Sequence, residues 1–221
     1  MKKIVLLMSA IFVLSTFAES MDTSGMFCPL NEGSRWKYSF FSKKEKHQKD
    51  DISIYVKNSE IFGGVLCKVY EIPSKSMCFY ITSDAQGVYL KGAKINIPVL
   101  GFINVNIIFK PDALVFKFPI ITGDAWSYKG SAVASTMFFI SSGIKVDVDF
   151  IIAGIEEVKL GDRTVYAYHL YAVASRRWNQ EKPIYGDCWF SENIGLVKGE
   201  TMNSRIELKS YYEGSTPAAH N

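Results

Sequence analysis

The chain has 221 residues, of which 48% are hydrophobic, 14% aromatic and 21% charged; this is a globular composition and excludes a disordered, collagen-like or coiled-coil chain. Twenty-five Lys and Arg against 22 Asp and Glu leave a formal charge of +3. With Lys2 and Lys3 in a removable leader the rest is close to neutral, so there is no basic face to displace counterions from phosphates and no nucleic-acid partner is expected.

Met1-Lys2-Lys3 makes a short positive start, followed by an apolar run over 4–17 and the small residue Ala18. That is the layout of an export signal, with cleavage expected after residue 18. The run is short for a bilayer core, which takes about 20 residues, so no stable transmembrane anchor is expected after cleavage. Cys28 follows a polar stretch instead of standing directly behind the apolar run, which argues against lipidation. Residues 19–28 read as a loose leader. The expected destination is the periplasm of a bacterium, or the medium if the cell has a single membrane.

From residue 29 onward nearly every segment alternates with period two and is rich in β-branched and aromatic residues. Strands are expected over 35–42, 52–57, 65–72, 77–82, 88–95, 103–109, 114–118, 125–137, 144–158, 164–174, 185–190, 196–202 and 205–212. Asp84-Ala85-Gln86-Gly87, Leu160-Gly161-Asp162-Arg163 and Glu192-Asn193-Ile194-Gly195 supply tight turns between them. No long stretch has helical period, and 214–221 is a tail of small and polar residues. The fold class expected is all-β, an antiparallel meander forming a curved sheet, half-barrel or barrel-like sandwich.

The two halves of this meander resemble each other. Pro29-Leu30-Asn31-Glu32-Gly33-Ser34-Arg35-Trp36-Lys37-Tyr38 aligns with Pro119-Ile120-Ile121-Thr122-Gly123-Asp124-Ala125-Trp126-Ser127-Tyr128, and Cys78-Phe79-Tyr80 resembles Cys188-Trp189-Phe190 further on. One domain over 29–213, with halves of about 29–118 and 119–213, is the economical reading, because two half-meanders each need an apolar face to bury. In each motif Pro and Gly set a turn into a strand, and Trp and Tyr two apart project from one face with a polar tip on each ring. Such a pair plugs a core or lines a cavity. The 95–119 stretch is apolar on both alternating faces over much of its length, as expected of a strand buried on both sides or lining an apolar cavity. The cavity reading assigns ligand contact to Trp36, Tyr38, Trp126, Tyr128, Phe102, Ile107, Phe109 and Phe116.

Catalytic sets are hard to find. His47 lies in a mixed charge run, His220 in the tail and His169 in mid-strand, where a satisfied histidine is the plainer reading. No G-x-S-x-G elbow, phosphate loop or dinucleotide fingerprint occurs. Asp147, Asp149, Glu156 and Glu157 cluster in sequence, but Asp147 and Asp149 alternate with Val146, Val148 and Phe150 as on the wet side of a strand. Cys28, Cys67, Cys78 and Cys188 allow two disulfides in an exported chain or serve as small packing residues. Their spacing and that of the histidines suits no metal, and no cofactor is expected.

The Pro29-Leu30-x-x-Gly33-x-x-Trp36-x-Tyr38 opening and the Gly195-Leu196-Val197-Lys198 close resemble uncharacterised bacterial exported β-domain proteins. The resemblance implies a curved antiparallel sheet loosely similar to lipoprotein-carrier folds, with no established activity and no functional residue to carry over. The expected role is non-enzymatic binding of a lipid or other apolar small molecule, or of an envelope protein. The alternatives are a purely structural or protein-interaction module and a hydrolase built on carboxylates.

Overall fold

The computed structural model describes residues 31–43, 48–97, 103–136, 143–175 and 183–214. Its strands are β1 (Arg35–Ser42), β2 (Gln48–Phe62), β3 (Val65–Ile72), β4 (Met77–Asp84), β5 (Gly87–Ile97), β6 (Ile103–Lys117), β7 (Ala125–Ser135), β8 (Ile144–Leu160), β9 (Arg163–Ser175), β10 (Ile184–Ser191), β11 (Gly195–Thr201) and β12 (Ser204–Tyr212), with one 3-10 turn at Pro73–Lys75. Each strand pairs antiparallel with the next, and β1 also pairs with β12 from Arg35 opposite Tyr212 to Ser42 opposite Ser204. The meander therefore closes into an all-β barrel in which each described strand pairs on both sides.

Two expected strands, 103–109 and 114–118, are one strand, β6, running through Lys110-Pro111-Asp112. A proline inside a sheet needs a place where its missing N–H is not required. The β6–β7 ladder ends at Lys110 opposite Ser131, and the β5–β6 register slips between Leu90 and Gly92, so Pro111 sits where pairing is interrupted on both sides.

The two Pro-to-Tyr motifs share a local backbone geometry. Gly33 and Gly123 hold φ of +85° and +84°, a left-handed conformation that glycine adopts without strain. Their N–H groups donate to the carbonyls of Val56 (3.0 Å) and Ile152 (2.8 Å), whose own N–H groups donate to the carbonyls of Ser34 and Asp124, both at 2.9 Å. The second repeated block is shifted by one residue from the sequence match. Tyr80 pairs with Val69 and precedes a bulge, as Trp189 pairs with His169 and precedes a bulge, so Tyr80 corresponds to Trp189.

Inward positions are apolar and form one continuous cluster. Phe116 of β6 and Phe190 of β10 meet with ring centroids 5.2 Å apart although three strands separate them in the wall, so side chains of non-adjacent strands touch across the interior. Outward positions carry ion pairs. Asp51 is gripped by Lys37 (2.8 Å) and Lys209 (2.7 Å), and Lys43 reaches Glu200 at 2.6 Å. Apolar inside and charged outside is the reverse of a membrane-spanning barrel, whose outer band faces lipid.

β2–β3 and β8–β9 are longer than the wall needs, and each bends at a bulge, between Lys57 and Glu60 and between Ile152 and Gly154. Beyond the bulge the buried face switches. On the second arm Val158 and Ala167 are buried although they share the outward face of the strand with His169, while Ile155 and Tyr166 on the other face are exposed. On the first arm Phe62 stacks on Tyr80 of β4 at 4.0 Å, and its ring lies so close over Gly92 of β5 that an added Cβ there would meet it at 2.5 Å. The arms thus curl outward against the wall.

Candidate functional site

The Trp-x-Tyr pairs have a definite task. β11 pairs with β12 only from Lys198 to Glu200, which leaves the carbonyls of Ile194 and Leu196 without a ladder partner on that side. The indole Nε1–H of Trp36 donates to the Ile194 carbonyl (2.6 Å) and the hydroxyl of Tyr38 donates to the Leu196 carbonyl (3.0 Å). The second pair does the same where β6 parts from β7. Trp126 Nε1–H donates to the Leu114 carbonyl (3.1 Å) and the Tyr128 hydroxyl to the Pro111 carbonyl (3.0 Å). Each motif plugs a seam in the wall with its rings and satisfies the freed carbonyls with its polar tips. Trp36 and Tyr38 are 1% and 0% exposed, and Trp36 is further enclosed by stacking with Tyr70 and Tyr211. Trp126 is half-buried and stacks on Phe150 at 5.2 Å. Burial, and next the nearby Asp112 charge, push the Tyr128 hydroxyl up to about 12.

Of the remaining residues assigned to a cavity, Ile107, Phe109 and Phe116 are buried in the core and touched by neighbouring side chains; Phe109 meets Tyr128 edge-on at 6.2 Å. Phe102 lies outside the described residues, as does Cys28. Cys67 and Cys78 are free thiols, and burial raises both above the usual thiol range. Cys188 points into the core, and its thiol too is pushed up by burial. A thiol so shifted is a poor nucleophile. Asp147 and Asp149 point outward from β8, Asp149 accepting from the Ser127 hydroxyl at 2.6 Å.

The polar constellation that sequence reasoning passed over surrounds His169. Nδ1 of His169 lies 2.9 Å from Glu156 Oε1, and Nε2 lies 2.7 Å from Asp187 Oδ1. The other oxygen of Glu156 accepts from Trp189 Nε1–H at 2.8 Å, and Trp189 stacks face to face on the imidazole at 4.5 Å. Lys198 closes the stack with its ammonium 4.0 Å from the centre of the indole. Strands β8 to β11 each contribute, and the group lies on the outer wall at the root of the second arm. The Trp189 bond, chiefly, and the His169 bond hold the Glu156 carboxyl below its ordinary range against a desolvation that raises it. Among the described residues no cluster of His, Cys, Asp and Glu has an arrangement that holds a metal ion.

The corresponding place in the first half shows what the fold itself requires. Glu60 stands where Glu156 does and accepts from the Tyr80 hydroxyl at 3.2 Å, as Glu156 accepts from Trp189. Val69 occupies the position of His169, Cys78 that of Asp187 and Gly92 that of Lys198. Both arm roots thus hold a carboxylate, and at the matched positions the second half adds a histidine, a second carboxylate and an ammonium on the same backbone plan. Spacing could not reveal this, because 156, 169, 187 and 198 are brought together only by the strand register.

No family model matches the chain. No curated protein matches it either. Among solved structures it is similar to a candidate lipoprotein from Parabacteroides distasonis, at 17% identity and TM-score 0.47 over 87% of this chain and 100% of that one. It is also similar to an exported protein with a YmcC-like fold from Bacteroides fragilis, at 16% and 0.45 over 85% and 99%, and to the hypothetical lipoprotein YmcC from Escherichia coli, at 11% and 0.45 over 80% and 84%. At scores below 0.5 these likenesses extend to no shared ligand or role.

Proposed function

We propose that the chain is an exported, non-enzymatic β-barrel that docks an envelope protein through its outer surface. The observation that carries this reading is the state of the Trp-x-Tyr pairs. The side chains best suited to grip an apolar ligand are spent on the wall, with rings packed and polar tips bonded to backbone carbonyls. Export rests on the positive, apolar and small-residue layout of 1–18. The outer wall offers what the interior does not: on the arms, Ile61 is 77% exposed and Tyr166 69%. Isolated exposed apolar residues are ordinary, but two pairs on the solvent-facing sides of the arms are suited to contact.

Photo-crosslinking residues placed at Ile61, Leu66, Ile155 and Tyr166 in intact cells test the reading. A discrete protein adduct from arm positions, absent when the crosslinker is moved to Lys37 on the outer face of β1, is the expected result. Equal labelling from the arms and from Lys37, or none from either, overturns it.

A second reading, an apolar small-molecule ligand, is favoured by one specific feature. Ile95, Ile97, Ile103 and Val105 are only half-buried where β5 and β6 run to their ends. A bound acyl chain there predicts a retained mass in the purified protein.

A further inference from the structure

The arrangement around His169 differs from an ordinary surface ion pair in one respect: each ring nitrogen faces a carboxylate, and the two carboxylates belong to different bodies. Glu156 sits on the arm, two residues past the bend, and Asp187 on the barrel wall. An imidazolium has two N–H donors and can serve both carboxylates at once, whereas the neutral ring has one donor and turns a lone pair toward the other carboxylate. We propose that the β8–β9 arm is a pH-gated flap, latched to the wall in mild acid by the doubly bonded His169 imidazolium and loosened when the ring gives its proton to solvent.

The other charged groups near the ring come from the strands packed around it. From β8 it faces Glu156, with Glu157 beside it pointing away; from β10, Asp187; from β11, Lys198 across the Trp189 ring, itself 3.7 Å from Glu200; and from β12, Glu207 opposite Lys198. Tyr171 stands two residues along β9 and also senses Asp187. Glu200 and Glu207 are paired with Lys43 and Arg205, so Glu156 and Asp187 are the carboxylates that meet the ring. Glu156 is held below its ordinary range and remains an acceptor in mild acid. The Trp189 bond to Glu156 is indifferent to the charge of His169, so raising the pH weakens the latch without removing every tie.

The first arm is the internal control. Its root carries Val69 and Cys78 in place of His169 and Asp187, and it lies against the wall by stacking of Phe62 on Tyr80. The first arm therefore closes with one carboxylate and no histidine at its root, which argues that the His169 bridge between two carboxylates at the root of the second arm serves a change of state. An exported chain works outside the buffered cytoplasm, and opening the second arm bares the faces of Val158, Ala167 and Trp189. The latch needs no partner, so its failure and that of the docking reading are separable.

Amide hydrogen exchange of the full chain read by mass spectrometry tests the flap. After correction for intrinsic rates, segment 155–166 should open roughly tenfold more readily at about pH 8 than at about pH 5, because one charge-assisted bond is lost. Segment 59–67 of the first arm should show no such contrast. His169→Val, which installs the residue found at the matching position of the first half, and Asp187→Asn should each flatten the response of 155–166. The proposal is overturned if the two arms respond alike in the unaltered protein, or if the contrast persists in both variants.

Discussion

At the scale of the residue, the Trp-x-Tyr pairs carry the argument, because their polar tips distinguish plugging a seam from lining a cavity. Tyr38→Phe keeps the ring and removes only the donor to Leu196, leaving a buried carbonyl unsatisfied at a cost of about 1–3 kcal/mol. Denaturant unfolding should show the midpoint falling with the slope unchanged. A residue that merely lined a cavity would tolerate the change. Asp51 offers a second test. Hydrogen bonds from Lys209 and then Lys37 lower its carboxyl to about 2. A carboxyl depressed by folding contributes stability that is complete above its unfolded value near 4 and is lost as pH falls toward 2. Thermal unfolding across that window should show a pH dependence that Asp51→Asn reduces. The sequence showed that Trp and Tyr two apart share a face. It did not show which carbonyls they serve, because those partners lie 158 residues away for the first pair.

At the scale of the element, the two arms explain features that look incidental in the sequence. Gly92 interrupts β5 because the ring of Phe62 and the carbonyl of Ile107 occupy the space where a side chain would stand. Gly92→Ala therefore forces the first arm off the wall and should destabilise the protein by about 1–3 kcal/mol, with exchange protection lost first in 59–67. Phe62→Ala in the same chain should recover part of that loss, since it removes one of the two obstacles. Period-two patterning was enough to read most strands within a few residues, from Arg35–Ser42 to Ser204–Tyr212. The bulges were not legible: one inserted residue exchanges the buried and exposed faces beyond it while alternation continues. For the same reason the match of Cys78 with Cys188 slipped by one, and the correspondence of Tyr80 with Trp189 that locates the His169 cluster was hidden.

At the scale of the whole molecule, closure is the decisive property. The all-β character could be read from composition and turn residues, and the likeness of the Gly33 and Gly123 turns from their motifs, but the pairing of β1 with β12 joins positions nearly 180 residues apart, and no local pattern announces it. Removing β12 opens two long edges and exposes the seam that Trp36 and Tyr38 fill, so a chain ending at Asn203 should fail to fold cooperatively and aggregate. The larger claim is that the closed barrel is packed through its middle, with its function on the outside. Native mass spectrometry of the protein purified from its envelope fraction, compared with its denatured mass, tests this most directly. The account predicts the mass of the bare polypeptide in both spectra; an added mass of acyl-chain size that disappears on denaturation would contradict it.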